Sequence, residues 1–317
     1  MTRPPILCIS ANPAIDRRLR INRLALGKVN RAQSADALPG GKAAHVAMSA
    51  KALGARAVWL GFVGGATGEA VVKGLRELEI EVVPIQTRSS TRVNFELIED
   101  CGRVTEVLEP GAAPDEKERS KMASRLAEGL SAEWNGAPVV ISGSLPLGTP
   151  PEFYKEIIEV AHANGSLVLL DTSGDSLRVG LEAKPDLIKP NRSEAEALLG
   201  RSISGFDSAI VAARDAIGRG ASSAAVTLGA EGLIWLESGN GPAWIARPPQ
   251  LRAISTVACG DATIAGFAFA FLEALTGEKA VRLAAACGAA NCLAQLEGRI
   301  SRSDVEALIP QIQAALG

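Results

Sequence analysis

Asp261 stands between a turn of small residues, Ala258–Cys259–Gly260, and a long apolar run, in the stretch STVACGDATIAGF at 255–267. The residues after it repeat at helical spacing: Ile264, Phe267, Ala268, Phe271, Leu272 and Leu275 share one face. The backbone N–H groups of the turn therefore converge at a helix N-terminus, a natural place for a phosphate or an oxyanion. A carboxylate there would repel a bound anion unless it had a task. Accepting a proton from a hydroxyl that attacks phosphate is such a task. The competing reading is that Asp261 only caps its helix.

Three further stretches carry candidate chemistry. In PGGKAAHVAMSAKALG, 39–54, Gly40 and Gly41 let backbone approach a ligand closely, and Lys42 opens a helix from which it could reach an anionic group. A glycine turn feeding an amphipathic helix is the plain alternative, and GxxxxGK[ST] is missing, so this is not a Walker A loop. His45 lies one turn into that helix. With His162 it completes the histidine inventory, which leaves a histidine metal site or a Ser-His-Asp triad poorly supported. In IKPNRSEAEALLG, 188–200, Pro190 ends a strand and Ser193 with Glu196 suits a capping box. Asn191 and Glu194 could share one side of that turn and hold magnesium through water; simple capping reads equally well. In VTLGAEG, 226–232, a strand runs into a glycine-bounded turn suited to a nucleotide lying over backbone. Arg92 and Arg31 could each bind phosphate or be solvated surface charges.

The elements that must position these residues alternate. Strands are predicted at 5–10, 57–63, 138–144, 166–173, 186–191 and 224–229, and helices at 42–53, 68–79, 115–130, 151–164, 193–199 and 207–219. Gly54, Gly165 and Gly220 sit where glycine ends a helix. Near-continuous apolar strands separated by helices predict a parallel sheet covered on both faces. Two segments break the rhythm. Residues 13–38 are rich in polar side chains, and 91–109 alternate apolar and polar around a turn at Asp100–Cys101–Gly102, a hairpin with one solvated face. Both belong to a small projecting sheet whose apolar face needs a cover: a ligand, the main body or a second subunit. The expected core is thus 1–12, 39–90 and 110–317. After Asp261, helices are predicted to about 275, at 278–296 and at 302–315.

The 317 residues carry 33 Lys+Arg and 35 Asp+Glu, a net charge of −2 without charge blocks, which gives no footing for nucleic acid or an anionic membrane. The five cysteines are odd in number and form no CxxC pair, so reduced thiols in a cytoplasm are expected. The most apolar helical stretch is interrupted by Glu273 and falls short of the roughly 18 residues that span a bilayer.

Taken in order, NPAID (12–16), GKVNR (27–31), PGGKAAHVA (39–47), TRVN (91–94), ISGSLPLGTP (141–150), LLDTSGDSL (169–177), IKPNRSEA (188–195), VTLGAEG (226–232) and STVACGDATIAGF resemble the PfkB, or ribokinase-like, family of carbohydrate kinases. NPAID, GKVNR and TRVN look most like its branch acting on phosphorylated hexoses, the 1-phosphofructokinases and tagatose-6-phosphate kinases. The resemblance implies an α/β, Rossmann-type core with a mostly parallel sheet and a small β-sheet lid that serves as a dimer clasp, and it implies ATP and Mg²⁺. It makes Asp261 the catalytic base, with the N–H groups of Ala258, Cys259 and Gly260 as anion hole. Asp16, Gly40, Gly41, Lys42, His45 and Ser142 match sugar-side positions, and Arg92 and Arg31 match holders of the substrate phosphate. Lys189, Asn191, Thr227, Gly229, Gly232 and Asn291 match the nucleotide side, with Glu194 and Asn191 toward the metal. The expected reaction is phosphorylation of a hexose monophosphate, fructose 1-phosphate first, then tagatose 6-phosphate or fructose 6-phosphate. Two departures stand out: ACGD replaces the family's GAGD, and His45 replaces the Asn of GGKGxNVA. They motivate a different class, a non-catalytic sensor of sugar phosphate, although a sensor has no need of Asp261. A nicotinamide dehydrogenase lacks its GxGxxG here.

Overall fold

The computed structural model describes residues 3–317; the first two residues of the expected core lie outside the described residues. Ten strands, numbered along the chain, form one sheet. From one edge they run β14 (Gln313–Leu316), β13 (Ala243–Arg247), β12 (Leu233–Leu236), β11 (Ser223–Thr227), β10 (Leu187–Ile188), β9 (Val168–Asp171), β8 (Val139–Ser142), β1 (Ile6–Ser10), β4 (Ala57–Val63) and β5 (Glu81–Gln86). The seven from β11 to β5 are parallel, and β12 to β14 are added antiparallel. β1, β4, β8 and β9 are buried at every residue, as a sheet covered on both faces requires.

Two apolar layers provide that cover. One packs α1 (Lys42–Ala52), α2 (Gly65–Glu77), α8 (Cys259–Leu272), α9 (Gly277–Leu293) and α10 (Arg302–Leu308) over Ile6, Cys8 and Trp59. The other packs α3 (Glu116–Ser131), α4 (Glu152–Ala163), α5 (Gly174–Gly180), α6 (Arg192–Leu199) and α7 (Phe206–Gly218) over Leu7, Ile9 and Ile141. Small residues bring α8 onto α9: a Cβ added at Gly266 would lie 2.8 Å from Ala284 Cα. The three expected helix-ending glycines, Gly54, Gly165 and Gly220, have φ of 90°, 73° and 137°.

A separate four-stranded sheet runs β3 (Ser34–Gly40), β2 (Ala14–Ile21), β6 (Arg92–Glu99) and β7 (Val104–Leu108). β6 and β7 form the expected hairpin, and β2 lies parallel to β6, pairing Asp16 with Asn94 and Arg18 with Glu96. One face turns toward the main sheet with Asp16, Asn94, Glu96 and Glu106; Phe95, Leu97 and Leu19 lie on the other.

The structure corrects several expectations. The helix predicted for 302–315 stops at Leu308, and Gln313–Leu316 becomes β14 because its edge pairing with β13 outweighs the helical preference of Gln, Ala and Leu. β5, β12, β13 and α5 were not expected. The capping box of α6 is Asn191 with Glu194, not Ser193 with Glu196, and Glu196 instead accepts the Ile203 N–H at 2.7 Å. Among the described residues no helix is long and apolar enough to cross a membrane.

Candidate active site

A cavity of about 980 Å³ lies between the inner face of the small sheet and the C-terminal ends of the parallel strands. Two helices begin on it. α1 starts behind Gly41 (φ 87°) and α8 behind Ala258 (φ 62°), and no side chain caps either one. Their first N–H groups are therefore left for a ligand, and both helix dipoles favour an anion. Cys259 and Gly260 open α8, and Asp261 follows in its first turn, 4% exposed. Asp261 provides no cap, so the capping alternative does not hold.

Asp16 reaches the cavity from β2. Its Oδ1 accepts Asn94 Nδ2 at 2.9 Å, and its Oδ2 lies 3.5 Å from His45 Nε2. Burial opposes the charge, but His45, Asn94 and the Gly41 N–H hold its pKa below the ordinary carboxylate value. Gly40 is required beside it, because a Cβ at that position would fall inside the Asp16 carboxylate. His45 sits between two acids: its Nδ1 is 3.0 Å from Asp261 Oδ2. Burial disfavours the imidazolium, yet Asp16 and Asp261 together push its pKa up to about 10.

Arg92 lines the cavity from β6. It donates to the Glu109 carbonyl at 2.7 Å and the Asn12 carbonyl at 3.2 Å, and its buried Nε has no partner. Beyond Asp16 on β2, Arg18 is buried between Glu96 at 3.2 Å and Glu297 at 3.4 Å. Burial, then Glu297 and Asp16, raise the Glu96 pKa to about 7.

On the far side, Lys42 Nζ lies 3.7 Å from Glu194 and 3.9 Å from Asp171, and these acids, Asp171 foremost, raise its pKa. Lys189 Nζ is 3.2 Å from Asp171 and close to the α8 N-terminus. Thr227, Gly229 and Gly232 line this end, together with Pro248, Pro249 and Gln250. Gly232 has φ 115°, and a Cβ there would strike the Ala246 carbonyl.

Some expected residues are placed elsewhere. Arg31 is exposed on the segment between β2 and β3 and does not line the cavity. Ser142 is buried with its hydroxyl unpartnered, one residue below Gly143, which does line it. Asn291 is buried behind the Cys259 turn, donating to the Val257 carbonyl at 2.6 Å and accepting from the Gly298 N–H at 2.9 Å. It braces the turn, and its polar atoms are already engaged. Asn191 Oδ1 is spent on the Glu194 N–H and the Ser193 hydroxyl, and Glu194 Oε2 accepts the Asn191 N–H at 2.9 Å, which leaves Glu194 Oε1 toward Lys42. Asp171 was missed. It ends β9, is 1% exposed, and neither of its oxygens takes part in a hydrogen bond among the described residues. Its signal was an acid closing an apolar strand in LLDTSG. Asn94 was missed too, although it stood in TRVN.

Uncapped helix N-termini, a buried carboxylate beside them and an arginine across the cavity define a phosphotransferase of ribokinase-like fold. The sequence profile of the pfkB family carbohydrate kinases matches residues 7–300, and the chain belongs to that family. It is similar to 1-phosphofructokinase of Xanthomonas campestris pv. campestris, with 35% identity covering 88% of each chain. It is also similar to tagatose-6-phosphate kinase of Staphylococcus epidermidis, with 30% identity over 97% of this chain and 98% of that one. The structure of phosphofructokinase-2 from Escherichia coli in complex with fructose-6-phosphate superposes with a TM-score of 0.88 at 28% identity, covering 97% of this chain and 98% of that one. The chain is thus a carbohydrate kinase, transferring phosphate to an alcohol group.

Proposed function

We propose that the protein phosphorylates fructose 1-phosphate to the bisphosphate, with ATP and Mg²⁺. The observation that carries this reading is Asp261 set beside the free N–H groups of α8 in a cavity that also holds Arg92. The relatives named 1-phosphofructokinase favour the 1-phosphate over tagatose 6-phosphate and fructose 6-phosphate.

Asp261 takes the proton of the sugar hydroxyl as that oxygen attacks. The Ala258, Cys259 and Gly260 N–H groups and Lys42 lie where charge develops on the transferring group, and preorganised donors there lower the barrier without reorganising. Asp16 and Asn94 orient the sugar hydroxyls, and Arg92 anchors the phosphate the substrate already bears. Thr227, Gly229 and Gly232 face the nucleotide, and the small sheet, residues 13–38 and 91–109, acts as lid. Glu194 and Asp171, at 3.7 and 3.9 Å from Lys42 Nζ, supply the hard oxygen donors at this end, so Mg²⁺ would be held on the Glu194 side and would neutralise charge on the phosphates. The outer lid face, with Phe95 and Leu97 and the exposed Val107, would be covered by a second copy in a homodimer. Five unpaired cysteines fit a reducing cytoplasm.

The test is ADP release by the purified protein with ATP·Mg²⁺ on fructose 1-phosphate, tagatose 6-phosphate, fructose 6-phosphate, fructose and ribose, with Asp261→Ala as control. Fructose 1-phosphate should give the highest kcat/KM, and the control should give none. If no sugar phosphate is turned over while one still protects the fold against heat, the sensing reading replaces this one.

A further inference from the structure

We propose that His45 is a positioning residue: an imidazolium held between Asp16 and Asp261 that turns the Asp261 carboxylate so that Oδ1 faces the attacking hydroxyl. This rests on the kinase reading, with Asp261 as base. Ionised carboxylates only accept hydrogen bonds. Both ring nitrogens of His45 face one, Nδ1 at 3.0 Å and Nε2 at 3.5 Å, so both carry protons. No ring N–H is left for a sugar. The side chain therefore acts through the two acids, not by contact with the substrate. Asp16 is held at both oxygens, by Asn94 and by His45. Asp261 accepts a single side-chain hydrogen bond among the described residues, at Oδ2, and lines the cavity, which leaves Oδ1 as the basic atom.

The bridge joins three elements: β2 of the small sheet, α1 and α8. The groups around it favour the charged ring. Asp16 comes from β2, Asp261 from α8 and, farther off, Glu106 from β7, whose carboxyl in turn feels the His45 charge. Lys42, one turn earlier on α1, is balanced by Asp171 and Glu194; Glu297, after α9, is paired with Arg18; and Cys8 of β1 is kept a neutral thiol by burial. Gly298 packs against the backbone of His45, and Ser49 of α1 donates to the Gly298 carbonyl at 3.1 Å, so the ring's base is fixed.

Two measurements test the role. The ¹⁵N spectrum of the His45 ring, in the full chain with His162→Gln to remove the other histidine, should show both nitrogens protonated up to about pH 9, and Asp261→Asn should bring the titration down. Steady-state kinetics of His45→Asn and His45→Gln should show kcat reduced about 10- to 100-fold with the KM for ATP changed less than threefold, and should lose any fall in kcat that tracks the ring's deprotonation. A ring that titrates near its ordinary 6.5, or both variants keeping kcat within twofold, overturns the proposal. A wild type that turns over no sugar phosphate overturns the kinase reading, and the positioning role with it, whatever the ring titration shows.

A second observation stands apart from that bridge. Cys259 Sγ and Cys292 Sγ lie 3.3 Å apart, and both line the cavity. We infer that they form a disulfide on exposure to peroxide and that this closes the anion hole. Cys292 is the more acidic partner: the contact between the two sulfurs holds the Cys259 thiol above the ordinary value and, outweighing burial, the Cys292 thiol below it. Its thiolate attacks the peroxide O–O bond, forming S–O and releasing hydroxide, which takes up a proton as water. The Cys259 thiol then attacks the sulfenic sulfur, forming S–S; its own proton leaves with the expelled hydroxide as a second water. A disulfide needs the sulfurs at about 2.05 Å, so the first residue of α8 must shift toward α9. Peroxide treatment should give a crosslinked peptide joining the two residues, with kcat lowered at least fivefold and restored by dithiothreitol, and Cys292→Ser should not lose activity reversibly. Absence of that crosslink, or a crosslink with kcat unchanged, overturns the inference.

Discussion

Ala258→Gly should make the protein more stable, although glycine usually destabilises. Ala258 has φ 62° and ψ 5°, left-handed backbone that costs an L-residue with a Cβ about 1–2 kcal/mol. It is also the N-cap of α8, where alanine is among the poorest residues and glycine loses only a few tenths of a kcal/mol relative to the best. Against this, glycine gives the unfolded chain more freedom, about 0.4–1 kcal/mol. The difference is a gain of about 0.5–1 kcal/mol. For 317 residues, unfolding entropy of about 2.1 cal/mol/K per residue converts this to a rise of about 1 °C in Tm. Urea denaturation resolves such a gain better, as a shifted midpoint at constant m. Cys259→Gly is the internal control. Cys259 is already helical, so glycine there should cost about 0.5–1 kcal/mol, the opposite sign. Two adjacent glycines with opposite effects would locate the strain at one residue. Equal signs, or a loss of stability in Ala258→Gly, would refute a left-handed Ala258.

Asp261→Asn keeps the shape of the carboxylate but cannot accept the proton; kcat for the sugar phosphate should fall at least 10²- to 10⁴-fold, measured by ADP release. Arg92→Ala removes a charged donor worth about 1.5–3 kcal/mol, so the KM for the sugar phosphate should rise about 10- to 100-fold, while the KM for ATP should not. Gly40→Ala places a Cβ in the Asp16 carboxylate and should raise the sugar KM by tenfold or more with the far-UV circular dichroism unchanged. Glu96 has a folded pKa raised to about 7 from an ordinary 4.5, so its contribution to stability is fully present below about pH 4.5 and is lost as pH rises through 7. Glu96→Gln should therefore gain on the wild type across that window in denaturant titrations; a difference independent of pH would refute the shift.

The elements written into the sequence most plainly were those whose burial is symmetric. β4, AVWLGFV, is apolar throughout because helices cover both of its faces, and its bounds were read to the residue. The small sheet was legible because its two faces differ, although its polar face, with Asp16, Asn94 and Glu96, is the one buried toward the main sheet, and its apolar face, with Val107, is the one turned outward. β14 was hidden. QAAL has no strand signal of its own and is a strand only because β13 offers an open edge. α5 was hidden by its length of seven residues, too few for a period to declare itself.

The site divides along a similar line. Gly41, Lys42 and Asp261 were legible as candidates because each occupies a helix start, a place that local sequence marks. Asp171 carried no such mark. An acid at the end of an apolar strand becomes informative only once Lys42 from α1 and Lys189 from the stretch after β10 come to it, with Glu194 sharing Lys42. Arg31 and Asn291 were marked by residue type rather than by place. Their residue types suit ligands, but Arg31 extends into solvent within one chain, and Asn291 is consumed in holding the turn that carries Cys259. His45 lies between these cases. The sequence marked it as a departure, and the distances on both sides of its ring turn that departure into a link between the acid of the small sheet and the acid of α8. A substitution that would weaken a sugar contact if read alone becomes, in the folded chain, a charge that two carboxylates require.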